Sequence, residues 1–441
     1  MSEKKRRMNS SEERLDEILR GEIMSARALV KWVILGCLMG TIVGTVGSLF
    51  AHALLFVNNL RGAHPALVLG LPLGGLMIVA LYHGSKNADD KGTNTVISSI
   101  HSDTNIPFRM APLIFVSTTI THLFGGSAGR EGAALQLGGS IASGMSNILR
   151  LNEKDKKLLI KCGMSAGFSA LFGTPLAATV FSMEVVSVGI MHYSALVPCV
   201  SAALVAQFVA KAFHVPPEVF PVESAAMTPA SFLQTLLFAA AAGIISILFC
   251  VILHQAEHLY QKHLKNPYLR IFVAGILVIA LSAVLGTGDY LGSGIGIIEH
   301  IFHHGASVVP YAFLLKMVFT ALTLGGGFKG GEIVPSLTIG ATFGCCAAAL
   351  VGLPVELAAA CGMIGVFCGV TNSPITSLLI AFELFGFSGM PYYLVTIAAS
   401  YMISGHYGLY HAQKLMYSKT EMTLINSTTK QRLRHHKENT P

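Results

Sequence analysis

Gly126-Ser-Ala-Gly129-Arg-Glu131 and Gly327-Phe-Lys-Gly330-Gly-Glu332 stand 201 positions apart, glycine over glycine and glutamate over glutamate. Gly139 and Gly340 extend the match at the same offset. Each stretch is a glycine-rich turn carrying one carboxylate in an otherwise apolar sequence. A turn of this kind, written twice, points to two related halves of a membrane protein that meet around an ion.

The repeat continues on both sides. Cys162-Gly-Met164 returns as Cys361-Gly-Met363, and Phe168, Pro175 and Glu184 return as Phe367, Pro374 and Glu383, all at an offset of 199. Gly92 and Ile97 return as Gly292 and Ile297 at an offset of 200. The blocks define a first membrane repeat over 28–210 and a second over 228–412. A charged, amphipathic segment (1–27) precedes them and a short basic tail (413–441) follows. An even number of spans per half would lay the halves parallel, and an odd number would invert them. Inverted halves would bring the two turns together near the midplane, with helix N-termini aimed at one ion.

Composition sets the solvent. Of 441 residues, 52% are hydrophobic and only 12% charged, with mean hydropathy +0.61. Soluble domains carry about 25% charge, so a soluble core is excluded. Apolar runs occur at 28–56, 66–81, 110–125, 176–190, 194–209, 232–253, 271–285, 333–353 and 392–403. The first is too long and too late for a cleaved signal peptide. Several are shorter than the roughly 20 residues that cross a bilayer upright. The 45 glycines and 17 prolines interrupt many of them. Broken backbone at membrane depth must be covered by protein or by a wet cavity. The expected fold is an all-α membrane protein, a packed bundle of many tilted, partly broken helices.

The net charge of +7 is unevenly placed. Lys4 to Arg7, Arg14, Arg20, Arg27 and Lys31 precede the first span. Arg150, Lys154, Lys156, Lys157 and Lys161 crowd one loop, and Lys430, Arg432, Arg434 and Lys437 end the chain. The positive-inside rule puts both termini in the cytosol. Without an RNA-binding module beside them, these cations read as anchors at anionic lipid, not as a nucleic-acid surface. The eight cysteines sit in or beside apolar runs, without metal spacing to histidine, and read as small buried hydrophobes. His300, His303 and His304 beside Glu299 offer a His-x-x-His pair, but no pattern supplies further ligands. No metal or cofactor is expected.

The turns carry the chemistry. A helix N-terminus presents free N–H groups and about half a positive charge, and glycines let that backbone approach a ligand closely. Such a site favours an anion without burying a full cation. Gly129-Arg-Glu-Gly132 reads as turn then helix, and so does Gly330-Gly-Glu-Ile333-Val-Pro335, with Pro335 suited to a first turn. Glu131, when ionised, is itself an anion at such a site and would block it; when protonated it can leave. One residue would then serve as gate and proton carrier. The plainer reading is a helix-capping glutamate paired with Arg130.

Gly129-Arg-Glu-Gly132 in this setting resembles the gating-glutamate motif of the CLC family of anion channels and proton-coupled antiporters. The resemblance covers nearly the whole membrane region. It implies a homodimer of inverted-repeat subunits, each with its own pore. Glu131 matches the external gating glutamate. Tyr410, in Gly405-His-Tyr-Gly-Leu-Tyr410, matches the late tyrosine whose hydroxyl faces the central anion, and Glu332 and Ile333 match positions whose backbone amides line that site. With them the anion-binding set is Thr93, Asn94, Gly129, Arg130, Gly132, Glu332, Ile333, Val334 and Tyr410.

Departures from the chloride-type pattern point to one branch. The first-half loop reads Gly92-Thr-Asn94-Thr-Val96, and Gly-x-Phe-x-Pro is replaced by Gly331-Glu-Ile-Val-Pro335. Gly325-Gly-Gly-Phe-Lys-Gly-Gly-Glu332 and Asn94 resemble the bacterial fluoride branch. Val185 stands where the chloride antiporters place an internal proton-transfer glutamate, an absence shared with that branch. Val334 and Ala133 stand where the fluoride branch has threonine, which shifts the replacement of fluoride's lost water to Asn94, Tyr410 and backbone amides. The implied function is a fluoride/proton antiporter, multi-pass in a bacterial inner membrane, with halide and protons as its partners. A chloride or broad-anion CLC channel or antiporter is the alternative.

Other residues admit two readings. Lys316 and Lys329 could add positive potential or serve as paired structural lysines. Glu184 and Glu383, each following a proline at the same spacing, suggest a shared architectural role such as capping. Gly125-Gly-Ser127-Ala-Gly129 matches a Gly-x-Ser-x-Gly nucleophile elbow. That elbow needs a preceding strand and an oriented histidine, and the second half repeats the turn with Phe328 in place of Ser127, so no enzyme is expected.

Overall fold

The computed structural model describes residues 2–428 except 88, 89, 103, 104, 221, 225, 305–307 and 422, and it leaves the side chains of 2–22 and 304 undescribed. The basic side chains expected at 4–7, 14, 20 and 430–437, and that of His304, lie outside the described residues.

Two matching series of helices make up the chain. The first runs α1 (Ser2–Ala63), α2 (Leu71–Gly84), α3 (Thr93–His101), α4 (Met110–Leu123), α5 (Glu131–Ile148), α6 (Glu153–Phe172), α7 (Pro175–Glu184) and α8 (Leu196–Ala212). The second runs α9 (Pro229–His263), α10 (Pro267–Leu285), α11 (Ile295–His304), α12 (Ala312–Gly325), α13 (Ile333–Val351), α14 (Val355–Thr371), α15 (Pro374–Phe385) and α16 (Met390–Ile403). Among the described residues, six segments are long and apolar enough to cross a membrane, including Ile23–Ala63, Pro229–His263 and Ile333–Val351. Others fall short. At 1.5 Å per residue, the 10-residue α7 and the 14-residue α12 reach only part of a hydrocarbon core of about 30 Å. These are the partial helices that the interrupted runs predict.

Short helices need cover, and glycine supplies it by letting backbones touch. Gly138 lies against the carbonyl of Gly163 where α5 crosses α6, and Gly340 against that of Gly362 where α13 crosses α14. Neither crossing has room for a methyl group, the close approach that small residues permit between membrane helices.

The helices also correct the spacing of the repeat. α3 and α11, α4 and α12, α5 and α13 all begin 202 positions apart, whereas the letters of the glycine turns match at 201 and those of Gly92 and Gly292 at 200. Hydrogen bonding, not letter identity, sets where a helix starts. Arg130 and Glu332 are the equivalent N-cap residues, with φ/ψ of −116°/−20° and −97°/−14°. Glu131 therefore corresponds to Ile333, and Gly92, the N-cap of α3, to Gly294 before α11.

The structure departs from all-α at one point. β1 (Ser187–Val188) pairs in parallel with β2 (Lys414–Tyr417), which pairs antiparallel with β3 (Leu424–Thr428). The start of the tail is thereby attached to the end of α7. Lys419, in the turn of this hairpin, donates to Asn372 Oδ1 at 2.5 Å and Ser404 Oγ at 2.8 Å, at the ends of α14 and α16. At the other end, α1 continues without a break from Ser2 through the junction expected at 27.

Candidate functional site

The two glycine turns pair with each other. Gly129 N–H donates to the Gly331 carbonyl at 2.7 Å, and Gly331 N–H donates to the Gly129 carbonyl at 2.8 Å. The pairing is an isolated antiparallel bridge. α5 and α13 both start within two residues of this bridge, so their N-termini lie side by side. A reciprocal antiparallel contact of this kind is what a two-fold axis between inverted halves produces.

Around this bridge the expected residues divide into groups. Glu131, the first residue of α5, is fully buried and folds back on the turn: its Oε2 accepts the Arg130 backbone N–H at 3.1 Å, and its Oε1 lies 3.4 Å from Arg130 Nε. The Glu131 carboxylate thus sits against a backbone donor of its own helix start. The contacts with Arg130 are those of the plainer reading of Glu131, a glutamate at the helix start paired with its neighbour. Arg130 also binds Glu218, in the loop between the two halves.

A second group gathers below. Thr93, which opens α3, donates to the Gly132 carbonyl at 3.4 Å. A Cβ added to Gly132 would lie 3.1 Å from Glu332 Oε2 and 3.3 Å from Thr93 Oγ1. Gly132 therefore has glycine's close approach for a steric reason: three helix starts share this spot. Ile333 and Val334 are fully buried in the first turn of α13. Tyr410 is buried, its hydroxyl has no partner within the protein, and it lies within electrostatic reach of Glu332 and Glu131. Asn94 Oδ1 accepts the Ala412 N–H at 2.9 Å and so holds the segment that follows Tyr410, which leaves the amide N–H2 as the group that could donate to an anion.

Sequence reasoning missed several neighbours. Gln136 donates to Thr93 Oγ1 at 3.3 Å, and its own Oε1 is buried without a protein partner. The available signal was a lone amide one turn into an apolar helix. Glu218 had no local signal, because its link to Arg130 spans 88 positions.

Lys316 sits beneath the first turn, fully buried. Its ammonium donates to Ser127 Oγ at 3.0 Å and to the carbonyls of Tyr290 and Gly292 at 3.1 and 2.8 Å. It ties the first-half turn to the second-half loop, as a paired structural lysine does. Ser127 follows a helix, α4, and not the strand a nucleophile elbow requires. Lys329 lies 3.5 Å from Asp90 Oδ2 and 4.4 Å from the centre of the Tyr82 ring.

A cavity of about 870 Å³ leads to this site and is lined by Asp90, Asn94, His254, Glu257, Glu332 and His411, among others. The Ile23–Ala63 part of α1 and the segment Pro65–Gly84 are each long and apolar enough to cross a membrane. Asp90, Lys91 and Gly92 form part of the cavity wall.

Paired helix starts, a buried carboxylate beside them and a polar cavity on one side define a membrane ion-pathway protein with inverted halves. The chain belongs to the voltage-gated chloride channel (CLC) family, whose model matches residues 74–405. It is 36% identical over 406 residues to the "Chloride/fluoride channel protein" of Pseudomonas syringae pv. tomato, covering 89% of this chain and 88% of that one. It is 25% identical over 382 residues to the "H(+)/Cl(-) exchange transporter ClcA" of Vibrio campbellii, covering 79% and 81%. Among solved structures it resembles a CLC-type fluoride/proton antiporter, with TM-score 0.85, 35% identity and coverage of 88% and 98%. The fold is also that of a slow cyanobacterial Cl-/H+ antiporter, at TM-score 0.72 and 17% identity, over 85% and 94%.

Proposed function

We propose that this protein is a proton-coupled anion antiporter that exports fluoride, with Glu131 alternating with the anion and carrying the proton. The observation that carries this reading is the reciprocal Gly129–Gly331 pairing, which sets the starts of α5 and α13 side by side. With Thr93, Gly132, Ile333 and Tyr410 around it, the junction offers backbone dipoles and a hydroxyl to one small anion. Arg130 acts on the gate, not on the anion, through its contact with Glu131. Likeness to the fluoride/proton antiporter over nearly the full chain supports fluoride.

A second reading has its own observation. Ala133 and Val334 are both fully buried at the two helix starts and offer no side-chain donor, which suits a larger, less hydrated anion such as chloride. Proteoliposomes loaded with fluoride or chloride, with external pH followed, separate the two. Fluoride efflux with proton uptake, and chloride efflux at least tenfold slower, is the expected result; equal rates move the assignment to chloride.

In this reading 28–210 and 228–412 are the inverted repeats, and the subunit works as a homodimer in a bacterial inner membrane. The segments 1–27 and 413–441 face the cytosol, with their cations at anionic lipid.

A further inference from the structure

Val185 leaves a proton carried by Glu131 with no acidic residue at the place used in the chloride branch. Val185 is fully buried, and its helix packs through Phe181 on Phe168 and Phe367. The polar route from the site runs elsewhere, into the cavity below Glu332.

Two imidazoles stand in that route. His254, on α9, and His411, one residue past Tyr410, stack with ring centroids 3.9 Å apart and planes 29° apart. His254 Nε2 lies 3.3 Å from the Leu409 carbonyl. A carbonyl only accepts, so Nε2 carries the hydrogen and Nδ1 keeps the lone pair that can take a proton. Glu257 lies three residues further along α9, on the same face. It is within electrostatic reach of His254 and of Glu332. Glu332 Oε2 is buried and has no partner within the protein. Glu332, the two stacked imidazoles and Glu257 therefore line one cavity together.

The remaining charges around the pair are accounted for. Asp90 faces Lys329. Lys91, Lys265, Arg270, His83 and Tyr82 line the same cavity from the loop before α3, from α10 and its approach, and from α2. Gln261 donates to Glu257 at 3.0 Å.

We infer that His254 and His411, with Glu257 at the cavity side, form the internal proton relay of this antiporter, in place of the glutamate that Val185 replaces. The inference rests on the antiport reading above. In one transfer, an imidazole nitrogen takes a proton from the Glu332 side and the other ring nitrogen releases one to cavity water or to Glu257. That leaves the ring in the opposite tautomer, which a ring flip or proton exchange with cavity water restores before the next transfer, and no redox partner is involved.

The test uses the full chain in proteoliposomes, with fluoride and proton flux read together by ion-selective and pH electrodes (chloride if the protein prefers it). The expected result for His254→Gln and His411→Gln is a proton-to-anion flux ratio at least threefold below wild type, with anion flux within twofold. In wild type the proton flux should also depend on the pH of the cavity side, and the variants should lose that dependence. Fluxes that fall in proportion mean that the histidines only hold Tyr410 in place, and they overturn the relay, as does an unchanged ratio. His101, whose Nε2 lies 2.9 Å from the Val186 carbonyl, is the rival route; a lowered ratio in His101→Gln alone also overturns it. If the histidine variants do not elute as folded protein, Glu257→Gln decides by the same ratio. Wild-type protein that moves no protons overturns the antiport reading, a result obtained before any variant is compared.

Discussion

Glu184 and Glu383 cap each other's neighbouring helix. The Glu184 carboxylate accepts the N–H groups of Ile375 and Thr376 at 3.0 and 2.8 Å and the Thr376 hydroxyl at 2.6 Å, at the start of α15. The Glu383 carboxylate accepts the N–H groups of Leu176 and Ala177 at 3.0 and 2.9 Å, at the start of α7. Each helix thus ends in an acid that satisfies the orphan donors of the other, with charge placed where the helix dipole favours it. The exchange relates the two halves in the same way as the Gly129–Gly331 bridge.

The cap gives the first prediction. Glu383→Gln keeps the length of the side chain but leaves one acceptor oxygen facing two N–H donors. It should cost about 1–2 kcal/mol and lower the thermal midpoint in detergent, with the proton-to-anion flux ratio unchanged. A shifted ratio would mean that this acid lies on the transport path.

Glu131→Gln removes the titration and mimics the protonated gate. Proton flux should fall at least tenfold while anion flux persists, as read in vesicles with both electrodes. Proton counterflow at the wild-type rate would remove Glu131 from the mechanism.

Gly331 is closed to any side chain. A Cβ there would lie 2.6 Å from the Gly132 nitrogen and 3.2 Å from its Cα. Backbone cannot yield as a side chain would, so Gly331→Ala should push the two helix starts apart. A shift on the order of 1 Å at such a site is costly to function; anion flux should drop about tenfold, measured by efflux, with folded protein still recovered.

Lys316→Met tests structure against potential. The change strips a donor from two buried carbonyls and one hydroxyl, each loss being worth roughly 1–3 kcal/mol. Thermal stability should fall by on the order of 3 kcal/mol, while the fluoride-to-chloride rate ratio stays within twofold of wild type. Altered selectivity at unaltered stability would assign Lys316 to the pore field.

Much of this was legible in the chain. The hydropathy of 28–56 and 232–253 and the glycines within short apolar runs already require membrane-embedded, broken helices. The paired turns at Glu131 and Glu332 mark the junction, and Pro175, Glu184, Pro374 and Glu383 mark the matched caps. What stayed hidden are contacts between distant segments. Glu218 meets Arg130, and His254 meets His411, across separations that no local pattern encodes.

Composition and periodicity are properties of neighbours along the chain, so the sequence by itself determined the solvent, the helical content and the doubling. Register between the halves is different. The letters align Glu131 with Glu332, yet the helices align Glu131 with Ile333 and Glu332 with Arg130. Only the tertiary structure decided that, because a helix begins where backbone donors lose their partners, and the bridge between Gly129 and Gly331 fixes where that happens on both sides at once.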